Sequence, residues 1–401
     1  MKAITMATAA AVLCCFVLRA QGQQEFPPVS ELPEVKTLPD PFAFFGSDKR
    51  VASQQDWAKR RDEMKAMVQF YEYGRGFPLP YNTIGQVTST SERFNGKATY
   101  YEVDLSMGPD HVVKANLNYI VPTAGKGPYP VLILTSYMPN KTTITEKWIE
   151  NVIDRGYVVA EWYCHQFNPD DSKGKKPGQV RAAYPDYDGS VLQEWSWGSS
   201  GVITYLSSLE QIDTGRIILS GNSRRGKTVL LTAVMDERVS LVVPSCSGCQ
   251  GMPVFRFYGD KACTLSKPAT VFPGWSNDRF KEFIDKETLL PFDQHFMAAM
   301  VAPRALLAIE GTKDNNANQE GSQISFVAAR KVYDWLGVPD NIGWYEHDGP
   351  HGYFEDDVYT TLDFADKVFE GKNPVSGKRF DQLPYPPQDQ LINWSAPENV
   401  H

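Results

Sequence analysis

The sequence predicts an α/β fold, a three-layer sandwich with a mainly parallel central sheet reached through antiparallel lead-in strands. Three observations predict it. From Pro130 onward, short apolar runs alternate with helical stretches. Ahead of Pro130, two segments alternate apolar with polar residues. The apolar run at 217–220 stops at a small-residue turn and passes straight into a helical pattern. Strands separated by helices are joined by crossovers, and crossovers make neighbouring strands parallel.

Taken in order, the chain opens with Met1-Lys2, an apolar stretch over 3–18 and small residues at Ala20 and Gly22. This reads as a secretory signal peptide over 1–22, because its apolar core is shorter than the roughly 20 residues a spanning helix needs. The expected product is secreted or periplasmic, with no membrane partner, and forms a single catalytic domain over 23–401. Pro27, Pro28, Pro33, Pro39 and Pro41 mark an extended strap. A helix is expected over 56–73, with Trp57, Met64, Met67, Val68 and Tyr71 on one side. Alternation at 99–105 and 111–120 gives two strands, which complete the N-terminal part over 23–125. The catalytic core over 130–365 carries apolar strands at 131–134, 157–160, 217–220, 241–243, 305–309 and 342–346.

Composition narrows the function. With 42% hydrophobic residues and 22% charged ones, 401 residues can bury a large core. A net charge of −8 without a basic block argues against nucleic acid as a partner. Cys14 and Cys15 lie within the leader, leaving Cys164, Cys246, Cys249 and Cys263, read as buried thiols or one local bridge. Cys246 and Cys249 lack a second Cys or His pair at ligand spacing, so no metal is expected. Asn140-Lys-Thr and Asn393-Trp-Ser fit the glycosylation sequon.

The turn at 221–227 reads as a serine nucleophile on a strand-to-helix elbow. Gly221 and Gly226 allow a sharp turn and close helix approach, and a helix N-terminus behind Ser223 favours negative charge there. Arg224 can offer a backbone N–H and a guanidinium to a tetrahedral oxyanion, and Lys227 follows one turn later. The competing reading is an ordinary helix cap with two surface cations. Ligands of parallel sheets bind beyond the carboxyl ends of strands. There, Asp314 follows the run at 305–309, and His347 and His351 follow the run at 342–346. Serine, acid and histidine in that chain order match an α/β-hydrolase. His351, deeper in the Gly/Pro-rich loop, is preferred over His347. His165 and His295 have weaker claims, with His295 structural and Asp293 a helix cap. Asp314 also reads as a turn residue among asparagines.

Gly221-Asn222-Ser223-Arg224-Arg225-Gly226-Lys227 resembles the Gly-x-Ser-Arg-x-Gly-Lys signature of the glucuronoyl esterases, carbohydrate esterase family fifteen. Leu38-Pro-Asp-Pro-Phe42, Tyr71-Glu-Tyr-Gly74, Glu194-Trp-Ser-Trp-Gly198 and Ala302-Pro-Arg304 resemble further segments of it. The resemblance implies a monomeric, cofactor-free esterase that cleaves 4-O-methylglucuronate esters joining glucuronoxylan to lignin alcohols. It implies Ser223 as nucleophile, Arg224 as oxyanion stabiliser, His351 as base and Lys227 as a sugar contact. Fungal-type members carry a glutamate where this chain has Cys246, and paired cysteines where it has Asn222 and Gly352. Many bacterial members instead carry an aspartate where Asp314 stands, so the chain is expected to be of the bacterial type. The family's tryptophan past the late acid becomes Asn315 or Asn316. Its Gln and Glu have no clear counterpart, Thr264 and Phe272 being nearest. Trp275 is read either as a sugar-stacking face or as core. Those departures keep two alternatives open, an esterase on another plant-polysaccharide ester such as acetylated xylan, and a catalytically weak carbohydrate-binding homologue.

Overall fold

The computed structural model describes residues 26–136, 146–170 and 177–398, so the leader and the Asn140 sequon lie outside the described residues. After the proline strap comes α1 (Gln54–Val68), capped by Ser53, whose hydroxyl accepts from the Asp56 N–H at 3.1 Å. The helical pattern expected to reach Tyr73 does so through a wider π turn at Gln69–Tyr73. β1 (Ile84–Arg93), β2 (Ala98–Met107) and β3 (Val113–Pro122) form an antiparallel meander. β1 was not expected. It is an edge strand with no buried face, so its sequence lacks the alternation that marks β2 and β3.

The doubly covered part runs β4 (Tyr129–Ser136), α2 (Ile149–Asp154), β5 (Val158–Tyr163), α3 (Gln179–Ala183), α4 (Val191–Ser207), β6 (Ile212–Asn222) and α5 (Arg224–Met235). It continues with β7 (Leu241–Ser245), α6 (Ser266–Val271), α7 (His295–Val301), β8 (Ala305–Gly311), α8 (Gln319–Trp335), β9 (Ile342–His347) and α9 (Glu355–Glu370). The strands join one nine-stranded sheet in the order β1-β2-β3-β5-β4-β6-β7-β8-β9, parallel from β5 to β9.

Successive residues of the central strands serve opposite faces. Ile217 and Leu219 join the larger core with α1, α4, α5, α7 and α8, while Ile218 joins the smaller core with α2 and α9. Burial on both faces is why these strands read as unbroken apolar runs. Each parallel strand from β4 to β9 ends at the same edge, which gathers the loops after β5, β6, β7, β8 and β9 around one site.

The floor of that edge is braced by an internal ion pair. Arg256 and Asp293 are fully buried, with Nη1 and Oδ2 3.0 Å apart. Arg256 also donates to Val35 O at 3.0 Å and Leu290 O at 2.5 Å, tying in the proline strap. Asp293 accepts the Gln294 and Phe255 N–H groups, and α7 has no side-chain cap bond, so the cap expected of Asp293 is not formed. Asp293 serves instead as the counter-ion of Arg256. His295 Nε2–H donates to Pro39 O at 2.8 Å, and burial holds its pKa at about 3, a neutral structural ring. Asp293→Ala should lower unfolding free energy by about 3–5 kcal/mol, because it strands a buried guanidinium. Arg256→Met with Asp293→Leu should recover most of that loss in urea unfolding.

Candidate active site

Ser223 stands between β6 and α5 with φ 62° and ψ −128°, a backbone that a residue with a side chain rarely adopts. Such a conformation costs on the order of 1–3 kcal/mol and persists only where its surroundings enforce it. Here the Ser223 N–H donates to Ser245 O at 2.9 Å, and its carbonyl accepts from the Lys227 N–H at 3.2 Å. Both elbow glycines are required by space. A Cβ on Gly221 would lie 2.6 Å from Arg225 O, and one on Gly226 would lie 2.9 Å from Ser245 O.

Asp314 and His351 meet across two loops. Asp314 Oδ2 accepts from His351 Nδ1; the Asp314 side chain is 5% exposed and that of His351 is 44%. The loops are zipped together by Thr312 N–H to His347 O (3.0 Å), Lys313 N–H to Gly349 O (2.9 Å) and the Gly349 N–H to Thr312 Oγ1 (3.2 Å). Beneath them Glu310 is buried and accepts from Ser322 Oγ at 2.6 Å. Burial, with help from Asp314 and Glu346, pushes its carboxyl up to about 8, so near neutral pH it is largely uncharged.

His347 is packed under the same loop. Its Nδ1 faces Asp357 Oδ1 at 3.1 Å and its Nε2 faces Pro350 O at 3.0 Å, so the doubly protonated ring donates to both. Burial alone disfavours the imidazolium, but those two bonds outweigh it and raise the His347 pKa. Gly352 O, one residue past His351, accepts from Asn222 Nδ2 at 2.8 Å and Ser245 Oγ at 3.3 Å.

Arg224 points its guanidinium at Asp170, with Nη1 donating to Oδ2. It lies 4.9 and 5.0 Å from the ring centroids of Phe272 and Trp275, which stack on each other at 4.1 Å and 6°. Trp275 Nε1 donates to the other Asp170 oxygen at 2.7 Å. Trp275 is 5% exposed, so it presents no open face for a sugar; the stacking expectation gives way to packing that holds Arg224. Asp170 itself has φ 54°, a second strained position at this edge. It was not singled out from the sequence, although Asn168-Pro-Asp170 just past β5 is a turn at the carboxyl end of a strand.

Lys227 is buried, and its Nζ donates to Ser247 O and lies 5.6 Å from the Trp275 ring. Burial lowers its pKa to about 8, with Arg224 pushing the same way against Cys249 and Cys263. All four described cysteines are free thiols, so no local bridge forms. At the position past the late acid, Asn316 Oδ1 accepts from Lys267 Nζ at 3.2 Å and Asn316 O from the Cys263 N–H at 3.1 Å. Of the nearest counterparts to the missing polar contacts, Phe272 is committed to Trp275, and Thr264 O accepts from the Lys267 N–H at 3.1 Å.

A mainly parallel sheet with the Ser223 turn and the Asp314 and His351 loops all beyond strand carboxyl ends has the α/β-hydrolase fold. The family described as "Glucuronyl esterase, fungi" matches residues 108–337. The chain is 31% identical to a carbohydrate esterase family 15 glucuronoyl esterase from Caldicellulosiruptor kristjansonii, with a TM-score of 0.75, covering 92% of this chain and 99% of that one. A carbohydrate esterase from an unknown prokaryotic organism is 28% identical over 84% of this chain and 90% of its own length. The 4-O-methyl-glucuronoyl methylesterase of Schizophyllum commune is 26% identical over 90% of each. The chain belongs to the glucuronoyl esterase family, carbohydrate esterase family fifteen, and is a carboxylic ester hydrolase.

Asp170→Asn keeps an acceptor for Trp275 but removes the charge that fixes the Arg224 fork. It should lower kcat about ten- to a hundredfold with little change in KM, short of the loss expected when an oxyanion donor is removed outright. His347 carries a pH prediction of defined sign. A histidine whose folded pKa is raised contributes stability that is full below its ordinary value near 6.5 and is lost as pH rises through the folded value. The unfolding midpoint of the parent should therefore decline above about pH 6.5 by an increment absent from His347→Gln.

Proposed function

We propose that this esterase hydrolyses the ester between a 4-O-methylglucuronate side chain of glucuronoxylan and a lignin alcohol, through an acyl-enzyme. The observation that carries the reading is the pairing of a strained Ser223-Arg224 elbow with the Asp314–His351 hydrogen bond, in a chain similar to curated 4-O-methyl-glucuronoyl methylesterases. Ser223 Oγ attacks the ester carbonyl while His351 Nε2 takes its proton. Asp314 holds Nδ1–H, which fixes the tautomer and stabilises the imidazolium. Negative charge develops on the former carbonyl oxygen, toward the Arg224 guanidinium and the N-terminus of α5. Collapse expels the alcohol, protonated by His351, and a water activated by the same ring releases the uronate.

Lys227 has three donors, one engaged by Ser247 O, leaving two for sugar hydroxyls. Beside Asn222 a cleft of about 490 Å³ is lined among the described residues by Trp148, Tyr353 and Phe354 together with Glu146, Arg225 and Glu355. Its aromatic walls suit an aryl alcohol. The leader over 1–22 supports export, and residues 23–401 are proposed as one catalytic domain. Among the described residues no helix is long and apolar enough to cross a membrane.

One observation favours a second ester. The family resemblance implies a tryptophan where Asn315 or Asn316 stands, and the Lys267–Asn316 bond there gives a different surface for a sugar on that side. Benzyl glucuronate and acetylated xylan separate the two. The expected result is turnover of benzyl glucuronate that falls at least about a thousandfold in Ser223→Ala. Acetate release without any uronate-ester cleavage would instead assign the second substrate.

A further inference from the structure

The hydrolytic chemistry leaves one reactive group beside the triad unused. Cys246 follows β7 with φ 41°, a left-handed backbone that few non-glycine residues adopt. Its N–H donates to Ile309 O at 2.8 Å and its Sγ donates weakly to Gly352 O at 3.6 Å, so the thiol is fixed on the loop side of β7. There its Sγ, a carboxylate oxygen of Asp314 and a ring nitrogen of His351 lie within 4.8 Å of one another. Sequence spacing offered Cys246 only Cys249 as a companion ligand. The fold supplies two others, from residues 68 and 105 positions further along the chain.

A thiolate, an imidazole and a carboxylate are the donors that zinc accepts, and three protein ligands leave a fourth position for water. With Zn–S near 2.3 Å and Zn–N and Zn–O near 2.0–2.2 Å, tetrahedral donors stand about 3.5 Å apart. Closing from 4.8 Å requires movements of roughly 1 Å, within reach of a side chain as exposed as His351. Cys246 and Asp314 are buried and His351 faces solvent, so the ring side is the path of entry. The charges also close: one thiolate and one carboxylate neutralise a divalent ion, leaving no net charge at the buried end.

We propose that Cys246, Asp314 and His351 form an inhibitory site for zinc and similar borderline-soft divalent cations. The inference rests on the Ser223–His351–Asp314 reading given above. On binding, the Cys246 S–H bond breaks, its proton leaves to water, and the sulfur pair forms the bond to the metal. One Asp314 oxygen is redirected from His351 Nδ1 to the cation. The Nδ1 lone pair binds the metal, and the ring's single proton resides on Nε2. In that tautomer Nε2 has no lone pair for the Ser223 proton, so the base is disabled without occupation of the sugar site.

The test uses the full chain, stripped with chelator and titrated with Zn²⁺ and with Cd²⁺. Inhibition is read on benzyl glucuronate and on 4-nitrophenyl acetate, each variant referred to its own metal-free rate. The expected result is saturable inhibition reversed by EDTA, one Cd²⁺ per chain and an ultraviolet thiolate-to-cadmium charge-transfer band. Cys246→Ala should weaken inhibition at least about tenfold, since loss of even an outer partner of a ligand costs that much, and should abolish the band. Cys246→Ser repeats the measurement should the alanine variant fold poorly. Cys263→Ser, which removes a thiol outside the proposed site, should behave as the parent. Equal inhibition of parent and Cys246→Ala, metal binding without inhibition, or absence of the band overturns the proposal. Cd²⁺ stoichiometry and the band need no turnover, so a chain that binds metal and cleaves only 4-nitrophenyl acetate keeps this site and loses the uronate reading.

Discussion

The site depends on the carbonyl oxygen of Gly352. It accepts from Asn222 at the end of β6 and from Ser245 at the end of β7, and the Cys246 thiol leans on it too. Those contacts tie the loop bearing His351 to the two strands that shape the Ser223 elbow. Catalysis between groups on different loops tolerates little error, since misplacement by about 1 Å can cost a hundredfold in rate. The same loop is held from behind by His347 at Pro350 O, and a Cβ on Gly311 would lie 2.7 Å from His347 Nε2. Where fungal-type members of the family carry a cysteine pair, this chain has Asn222 and Gly352, and a side-chain amide donating to a carbonyl joins the two loops non-covalently.

Two devices manage charge at the sheet edge: some groups are paired with an opposite charge, and others have their charge weakened by burial. Glu310 lies under Asp314 with its carboxyl pushed to about 8 by burial, so it adds little negative charge near neutral pH beneath Asp314. Lys227, lowered to about 8, remains mostly cationic at neutral pH yet is close enough to titration that burial has spent much of its preference for charge. Arg256 and Asp293 lie deeper and are fully paired. Breaking the Arg256–Asp293 pair strands a charge in low dielectric, so the floor of the site should tolerate change there poorly.

The sequence was legible where burial was symmetrical and opaque where it was not. β4 to β9 are covered on both faces, and their apolar runs place them within a few residues. β1 has an exposed edge and left no pattern. Ser223 was legible because glycines at 221 and 226 have few reasons to stand there other than close approach. The placement of Asp314 and His351 on the loops after β8 and β9 was legible from chain order, and their hydrogen bond is what the fold adds. Asp170 was not, because its meaning lies in partners 54 and 105 residues away, Arg224 and Trp275, which no local pattern connects. Trp275 was read from its loop context as a possible sugar platform; what decides its role is the parallel contact with Phe272, three residues earlier, which occupies one face.

Under the proposed mechanism, Asp170 also bears on how Arg224 would act on the developing oxyanion. A carboxylate bound to the guanidinium screens part of the positive field that a developing oxyanion would feel, which by itself works against catalysis. The opposing effect is geometric. An unrestrained arginine carries about 2 kcal/mol of rotamer entropy, whereas one held by a carboxylate and flanked by Phe272 and Trp275 has little left to lose. A guanidinium has five N–H donors in a fixed fork, so engaging Nη1 at Asp170 leaves others to face the substrate. Donors already in place when charge develops require no reorganisation at that moment, and this is the largest contribution such groups make. In the proposed mechanism the two strained positions, Ser223 at φ 62° and Asp170 at φ 54°, are therefore complementary: one would present the nucleophile and the other would fix the group that receives the charge.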